Sequence, residues 1–118
     1  MAIFLSTLEH SSVPIEVREI LSFSPGVCAK ILSKVAAFPE GEGAALLSTC
    51  NRTELYVSSS AIVNPGVLLC SAAEIDYDPF AEAFQDMAQE QAVSHLMEVA
   101  AGIRSRILGE DQIISQVK

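Results

Sequence analysis

Four of the five prolines in this chain follow, at one or two residues, a residue able to cap a helix: Ser12 with Pro14, Ser24 with Pro25, Asn64 with Pro65, and Asp78 with Pro79. The cap side chain accepts a hydrogen bond from a first-turn amide. Proline at the first helical position sacrifices nothing, because the amide it lacks would have no partner there. Each pair therefore predicts a helix start, and the apolar stretches between the pairs must serve as something else.

Residues 2–8 form a mostly apolar run suited to a buried strand. The Ser12–Pro14 start predicts a short helix burying Ile15, Ile20 and Leu21. Ser24 opens a longer one reaching about Phe38, with Val27, Ile31, Leu32 and Val35 on one side. Pro39, Gly41 and Gly43 then break the chain. The run 44–47 and the β-prone stretch 55–57 read as two strands joined by a tight connection. Asn64 begins a helix ending near Ile75, and Asp78 offers a further start. Residues 84–88 fit either a strand or a helix. Residues 91–103 carry an amphipathic helix through Val93, Leu96, Met97, Ala100 and Ile103, and 110–117 begin another. Strand, helix, strand, strand, helix, strand over the first 88 residues is a ferredoxin-like order, so the expectation is an α+β fold with a βαββαβ core and additional C-terminal helices.

A chain of 118 residues fits one domain, 1–118, able to bury roughly two-thirds of its unfolded surface. With 50% hydrophobic and 19% charged residues it is not a disordered sequence. No apolar run approaches the ~20 residues needed to span a bilayer, and the N-terminus lacks the basic flank and cleavage site of a signal peptide. Three cysteines without paired spacing argue against a disulfide framework and for a reducing, cytoplasmic setting. A net charge of -8 opposes nonspecific nucleic-acid binding, which depends on neutralising phosphates.

The reactive side chains gather in residues 48–56, S-T-C-N-R-T-E-L-Y, where a thiol (Cys50), an amide (Asn51), a guanidinium (Arg52) and a carboxylate (Glu54) lie between the two predicted strands. A free cysteine is most often a small buried hydrophobe. Cys28 and Cys70, set among apolar residues, fit that description. Cys50 has polar neighbours, and a nearby cation favours the nucleophilic thiolate. Arg52 could pair with Glu54 across the turn, an interaction with a median of about 0–1 kcal/mol at a surface, or bind a carboxylate in a fork. His95 lies off the best apolar stripe of its helix, so a partly buried structural histidine competes with a catalytic one, whose ordinary pKa suits proton transfer near neutrality. Glu110 would sit favourably in the first turn of the last helix. The histidines and cysteines lack metal-ligand spacing, and no G-x-G-x-x-G follows a strand, so neither a metal nor a dinucleotide site is expected.

Residues 48–56 resemble the cysteine motif of glutamyl-tRNA reductases. Residues 102–118, G-I-R-S-R-I-L-G-E-D-Q-I-I-S-Q-V-K, match that family's second signature, and 8–19, L-E-H-S-S-V-P-I-E-V-R-E, a degenerate third. The resemblance is to the N-terminal catalytic domain, whose architecture is the one expected above. It implies that Cys50 is the nucleophile, that His95 is a general base or orienting group, and that Arg52 recognises the glutamyl side-chain carboxylate. Thr49 and Glu54 would bind or orient substrate, and Ser105, Glu110 and Gln112 would line its pocket. His10 is expected to give structural support. Arg104, Arg106 and Asp111 depart from the family pattern. The implied reaction is attack of Cys50 on glutamyl-tRNA to form a thioester, followed by reduction to glutamate-1-semialdehyde with NADPH held by a domain outside this chain. That is the first step of the five-carbon route to tetrapyrroles. The resemblance further implies a homodimeric full-length protein able to hand its product to the aminomutase, and no membrane partner. A thiol-dependent acyl hydrolase and a non-catalytic protein-binding module remain the alternatives from other function classes.

Overall fold

The structure, a computed structural model, describes residues 2–101. In chain order it contains β1 (Ala2–Glu9), a 3-10 turn (His10–Ser12), α1 (Ile15–Ile20), α2 (Pro25–Ala36), β2 (Gly41–Ser48), β3 (Arg52–Ser59), α3 (Pro65–Ala72), a second 3-10 turn (Asp78–Ala83), β4 (Gln85–Ala88) and α4 (Glu90–Ala100). The strands form one sheet in the order β2-β3-β1-β4, with every neighbouring pair antiparallel. The fold is thus mixed α/β, a four-stranded antiparallel sheet with helices on both faces. The expected helix at 110–117 lies outside the described residues, as do Ser105, Glu110 and Gln112.

Two of the four proline signals give capped α-helices. The Ser24 side chain accepts from the Val27 amide at 3.4 Å, and Asn64 from the Val67 amide at 3.3 Å. The other two are spent differently. The Ser12 hydroxyl donates back to the Glu9 carbonyl at 2.8 Å within a 3-10 turn, and Pro14 itself caps α1. Asp78 starts the second 3-10 turn with no side-chain cap. The ambiguous stretch 84–88 resolves as β4, whose four residues pair with Phe4 to Thr7 and close the free edge of β1.

Side chains alternate between the two faces of the sheet, as strand geometry requires. Leu8, Leu46, Leu55 and Val57 face α2 and α3, meeting Ile31, Val35, Leu69 and Cys70 in the larger core. Leu5, Leu47 and Tyr56 face α4, meeting Ala92 and Val99. Two predicted faces are displaced. Helix α1 buries none of its own residues: Ile15 and Ile20 are exposed, and only Leu21, just beyond its end, is buried. Helix α4 turns Ala92, His95 and Val99 inward and leaves Val93 and Met97 exposed. Val27 is likewise exposed on α2. No helix among the described residues is long and apolar enough to cross a membrane.

Candidate functional site

The connection from β2 to β3 is three residues, Thr49 to Asn51, and its shape comes from Thr49. The Thr49 amide donates to the Arg52 carbonyl at 2.9 Å, while its hydroxyl oxygen accepts from the amides of Asn51 at 3.1 Å and Arg52 at 3.3 Å. A side-chain oxygen capping nearby amides stabilises a tight turn that a backbone carbonyl could not close. Cys50 stands exposed at its tip.

Behind the tip, the 3-10 turn after β1 is fastened to the same connection. The His10 amide donates to the Asn51 carbonyl at 2.8 Å. The buried His10 ring has Nδ1 3.1 Å from the Cys50 carbonyl and Nε2 3.2 Å from the Thr53 hydroxyl. That hydroxyl also donates to the Leu21 carbonyl at 2.6 Å. With the Thr53 hydrogen directed at Leu21, both ring nitrogens face acceptors, and a neutral imidazole has one N–H to share between them. Burial lowers the His10 pKa below its ordinary 6.5, the hydrogen bond to the Cys50 carbonyl opposes this, and the Arg18 and Arg52 charges lower it further. His10 thus supports the Cys50 connection from beneath, as its structural role predicts.

Cys50 and Arg52 share a polar cavity of about 80 Å³ with Glu9, His10, Ser11, Arg18 and Asn51. At ~10–15 Å³ per water on this measure, it admits several waters or a small polar group. Arg52 itself is almost fully enclosed, 1% exposed, and lies between two carboxylates: Nη1 is 3.5 Å from Glu9 and 3.8 Å from Glu54. The ion pair with Glu54 is therefore buried, and its energetics are not those of a surface pair.

Glu54 points away from the cavity into the layer under α4. Arg52, Glu54 and Tyr56 alternate along β3 on this face, and Thr7 stands opposite Glu54 in the β1 register. The carboxylate accepts from Tyr56 at 2.9 Å, from Thr7 at 2.5 Å, and from Nε2 of His95. Burial pushes its pKa up, but the bonds from His95 and Thr7, the His95 charge and the Tyr56 bond outweigh it, and the net direction is down. Because Glu54 accepts at Nε2, that nitrogen of His95 carries a proton. Nδ1 is buried without a hydrogen-bond partner among the described residues.

The sequence-predicted residues therefore fall into two groups. Cys50, Thr49 and Arg52 meet at the connection, while Glu54 and His95 form a buried pair next to Arg52 on the same face of β3. His95 does not line the Cys50 cavity; it lines a neighbouring one with Gln85, Asp86, Met87, Gln91, Ser94 and Glu98. Sequence reasoning missed Arg18 and Glu9 as cavity residues, although both lie in the third matching stretch, and it missed Thr7 and Tyr56, which only strand register reveals. Among the described residues no group of histidine, cysteine and acidic side chains could hold a metal ion.

Comparison with known proteins accords with this geometry. Residues 7–118 match the family described as the N-terminal domain of glutamyl-tRNA(Glu) reductase. A glutamyl-tRNA reductase of Alkaliphilus oremlandii is 38% identical over 120 residues, covering 100% of this chain and 36% of that protein. A probable multifunctional siroheme biosynthesis protein of Ruminiclostridium josui is 40% identical over 121 residues, covering 100% of this chain and 24% of the relative. The solved glutamyl-tRNA reductase of Methanopyrus kandleri shares the fold at a TM-score of 0.69 and 24% identity, covering 97% of this chain and 26% of that one. The chain thus spans about a third or less of the length of these proteins. With the motifs, the strand order and the family match in agreement, the chain belongs to the glutamyl-tRNA reductase N-terminal domain family.

Proposed function

We propose that this domain performs the acyl-capture half of glutamyl-tRNA reduction, with Cys50 as acceptor. The observation that carries the reading is an exposed thiol at the tip of a rigid strand connection, opening into a cavity walled by a buried arginine. The Cys50 thiolate would attack the ester carbonyl of glutamyl-tRNA: a sulfur–carbon bond forms, the ester carbon–oxygen bond breaks, and the tRNA hydroxyl leaves with a proton. Covalent capture divides one difficult step into two easier ones. Arg52, fixed by Glu9 and Glu54, presents a positive wall to the glutamyl side-chain carboxylate. Glu54 accepts from Nε2 of His95 and so fixes the ring, and its role is to orient His95. We also assign the antiparallel β2-β3-β1-β4 order to the ferredoxin-like class.

A nicotinamide cofactor, when bound, would supply the hydride that turns such a thioester into the semialdehyde. The described residues do not fit that cofactor. Gly66 opens α3 after β3, where a phosphate cradle would be sought, yet a Cβ there would lie 3.1–3.3 Å from Tyr77, Asn64 and Ser6. Its amide already donates to the Ser6 hydroxyl at 2.8 Å. That close approach is filled by the protein itself, and hydride delivery belongs to the rest of a full-length protein.

Peptide mass spectrometry after incubation with glutamyl-tRNA tests the capture step. One glutamyl group should appear on the Cys50 peptide, and Cys50→Ser should lack it, since a hydroxyl is a far weaker nucleophile at neutral pH. No adduct on the wild-type chain, or an adduct on Cys28, would overturn the reading.

A further inference from the structure

Arg18 is the charged cavity residue with no assigned task. It comes from the last turn of α1, a six-residue helix that buries none of its residues. A basic residue at a helix C-terminus is favourable toward the dipole, which accounts for its presence there in the plainest way. That account does not explain its surroundings. Arg18 lines the same cavity as Cys50, and its Nε is buried without a hydrogen-bond partner among the described residues. An enclosed N–H donor without an acceptor is costly, so the inward placement of this side chain is not explained by the helix dipole.

Charge in the cavity points the same way. Its ionised walls are Arg18, Arg52 and Glu9. Arg52 is flanked by Glu9 at 3.5 Å and by Glu54 at 3.8 Å, so its charge is offset by two carboxylates. Glu54 is shared with His95 and lies outside the lining, so among the lining groups two guanidiniums face one carboxylate, an excess of one positive charge beside Cys50. Both guanidinium groups act electrostatically on the His10 ring, which lines the same cavity.

We propose that Arg18 is a specificity-determining residue that binds the side-chain carboxylate of the acyl group delivered to Cys50, with Arg52 as the enclosed second wall. The proposal deepens the acyl-capture reading and rests on it for the identity of the substrate. The carboxylate site itself can be tested without any acyl transfer. A planar guanidinium meets a carboxylate in a fork, which selects for a terminal carboxylate over an amide of the same shape.

Alkylation of Cys50 by iodoacetate and by iodoacetamide isolates the effect. The two reagents differ in bearing a carboxylate or an amide. In both, a sulfur–carbon bond forms as iodide leaves, so the ratio of their rates cancels the intrinsic reactivity of the thiol. The wild-type ratio should exceed that of glutathione. Arg18→Gln should lower the ratio roughly tenfold, the low end for losing a charge-assisted hydrogen bond. Arg18→Lys, which keeps charge without the fork, should lower it less. Glutarate should protect Cys50 from iodoacetate better than inorganic phosphate does. A ratio unchanged in both variants overturns the proposal, and better protection by phosphate overturns the assignment to a carboxylate. If the ratio responds to Arg18 but no glutamyl group reaches Cys50, acyl capture fails and the carboxylate site stands. The reverse result removes Arg18 alone.

Discussion

Three thiols occupy three different environments in this domain. Cys50 is exposed at the strand connection. Cys28 is half-buried, with its Sγ 3.7 Å from the Phe23 carbonyl, and burial raises its pKa. Cys70 is enclosed in the core, where burial and the Asp76 charge push it up to about 11. Since the thiolate is the reactive form, iodoacetamide at neutral pH should modify Cys50 first, Cys28 more slowly, and Cys70 only once the fold opens. Peptide mapping over time reads the order directly, and earlier modification of Cys28 or Cys70 would remove the physical case for Cys50. This ranking was legible in the sequence, because Cys28 and Cys70 have apolar neighbours and Cys50 has polar ones. The inward course of Glu54 was not. Its partners Thr7 and His95 lie 47 and 41 residues away in sequence, and only the strand register and the packing of α4 bring them together.

At the scale of elements, the sequence located helix α4 but only part of its buried face: Leu96 packs against the core as expected, while Val93 and Met97 are exposed. Val93, Leu96 and Met97 make the stronger apolar stripe, and the sheet buries the neighbouring stripe of Ala92, His95 and Val99 with Leu96 packed at its margin. One residue of helical offset is about 100° of rotation, enough to exchange one face for the next. The polar member, His95, is tolerated inside because the Glu54 carboxylate accepts a hydrogen bond from its Nε2–H. No pattern within the helix reports a partner on β3. A pair of substitutions tests the assignment. Val99→Ala should cost ~2 kcal/mol, from two buried carbon groups and the space they leave. Met97→Gln, at a position 67% exposed, should change stability by less than about 0.5 kcal/mol. Denaturant midpoints at a common slope measure both. Equal costs, or a larger one at Met97, would return the buried face to the stripe expected from sequence.

The whole molecule sets two unlike layers on one sheet, an apolar core beneath α2 and α3 and a layer beneath α4 that contains the Glu54–His95 pair, with His10 wedged at the edge. Among the described residues, its response to acid should reflect the two groups whose pKa values are lowered by the fold, His10 and Glu54. His10 titrates below its ordinary 6.5 in the folded state, first because it is buried and also because Arg18 and Arg52 oppose its charge. The unfolded chain binds that proton more readily, so stability is fully present above pH 6.5 and declines as pH falls toward the folded value. Glu54 has an ordinary value of 4.5 and titrates below it when folded, since its hydrogen bonds outweigh burial. Its contribution is fully present above pH 4.5 and is lost as pH falls through the folded value. A net charge of -8 acts with the opposite sign, because acidification relieves self-repulsion and favours the compact state. The wild-type profile alone therefore mixes the effects, and the difference from a variant separates them. His10→Gln, measured by denaturant unfolding from pH 8 to pH 3, should remove the decline below pH 6.5 while leaving the later loss below pH 4.5 in place. If wild type and His10→Gln decline in parallel across the upper window, His10 does not titrate as its burial and the two arginine charges require.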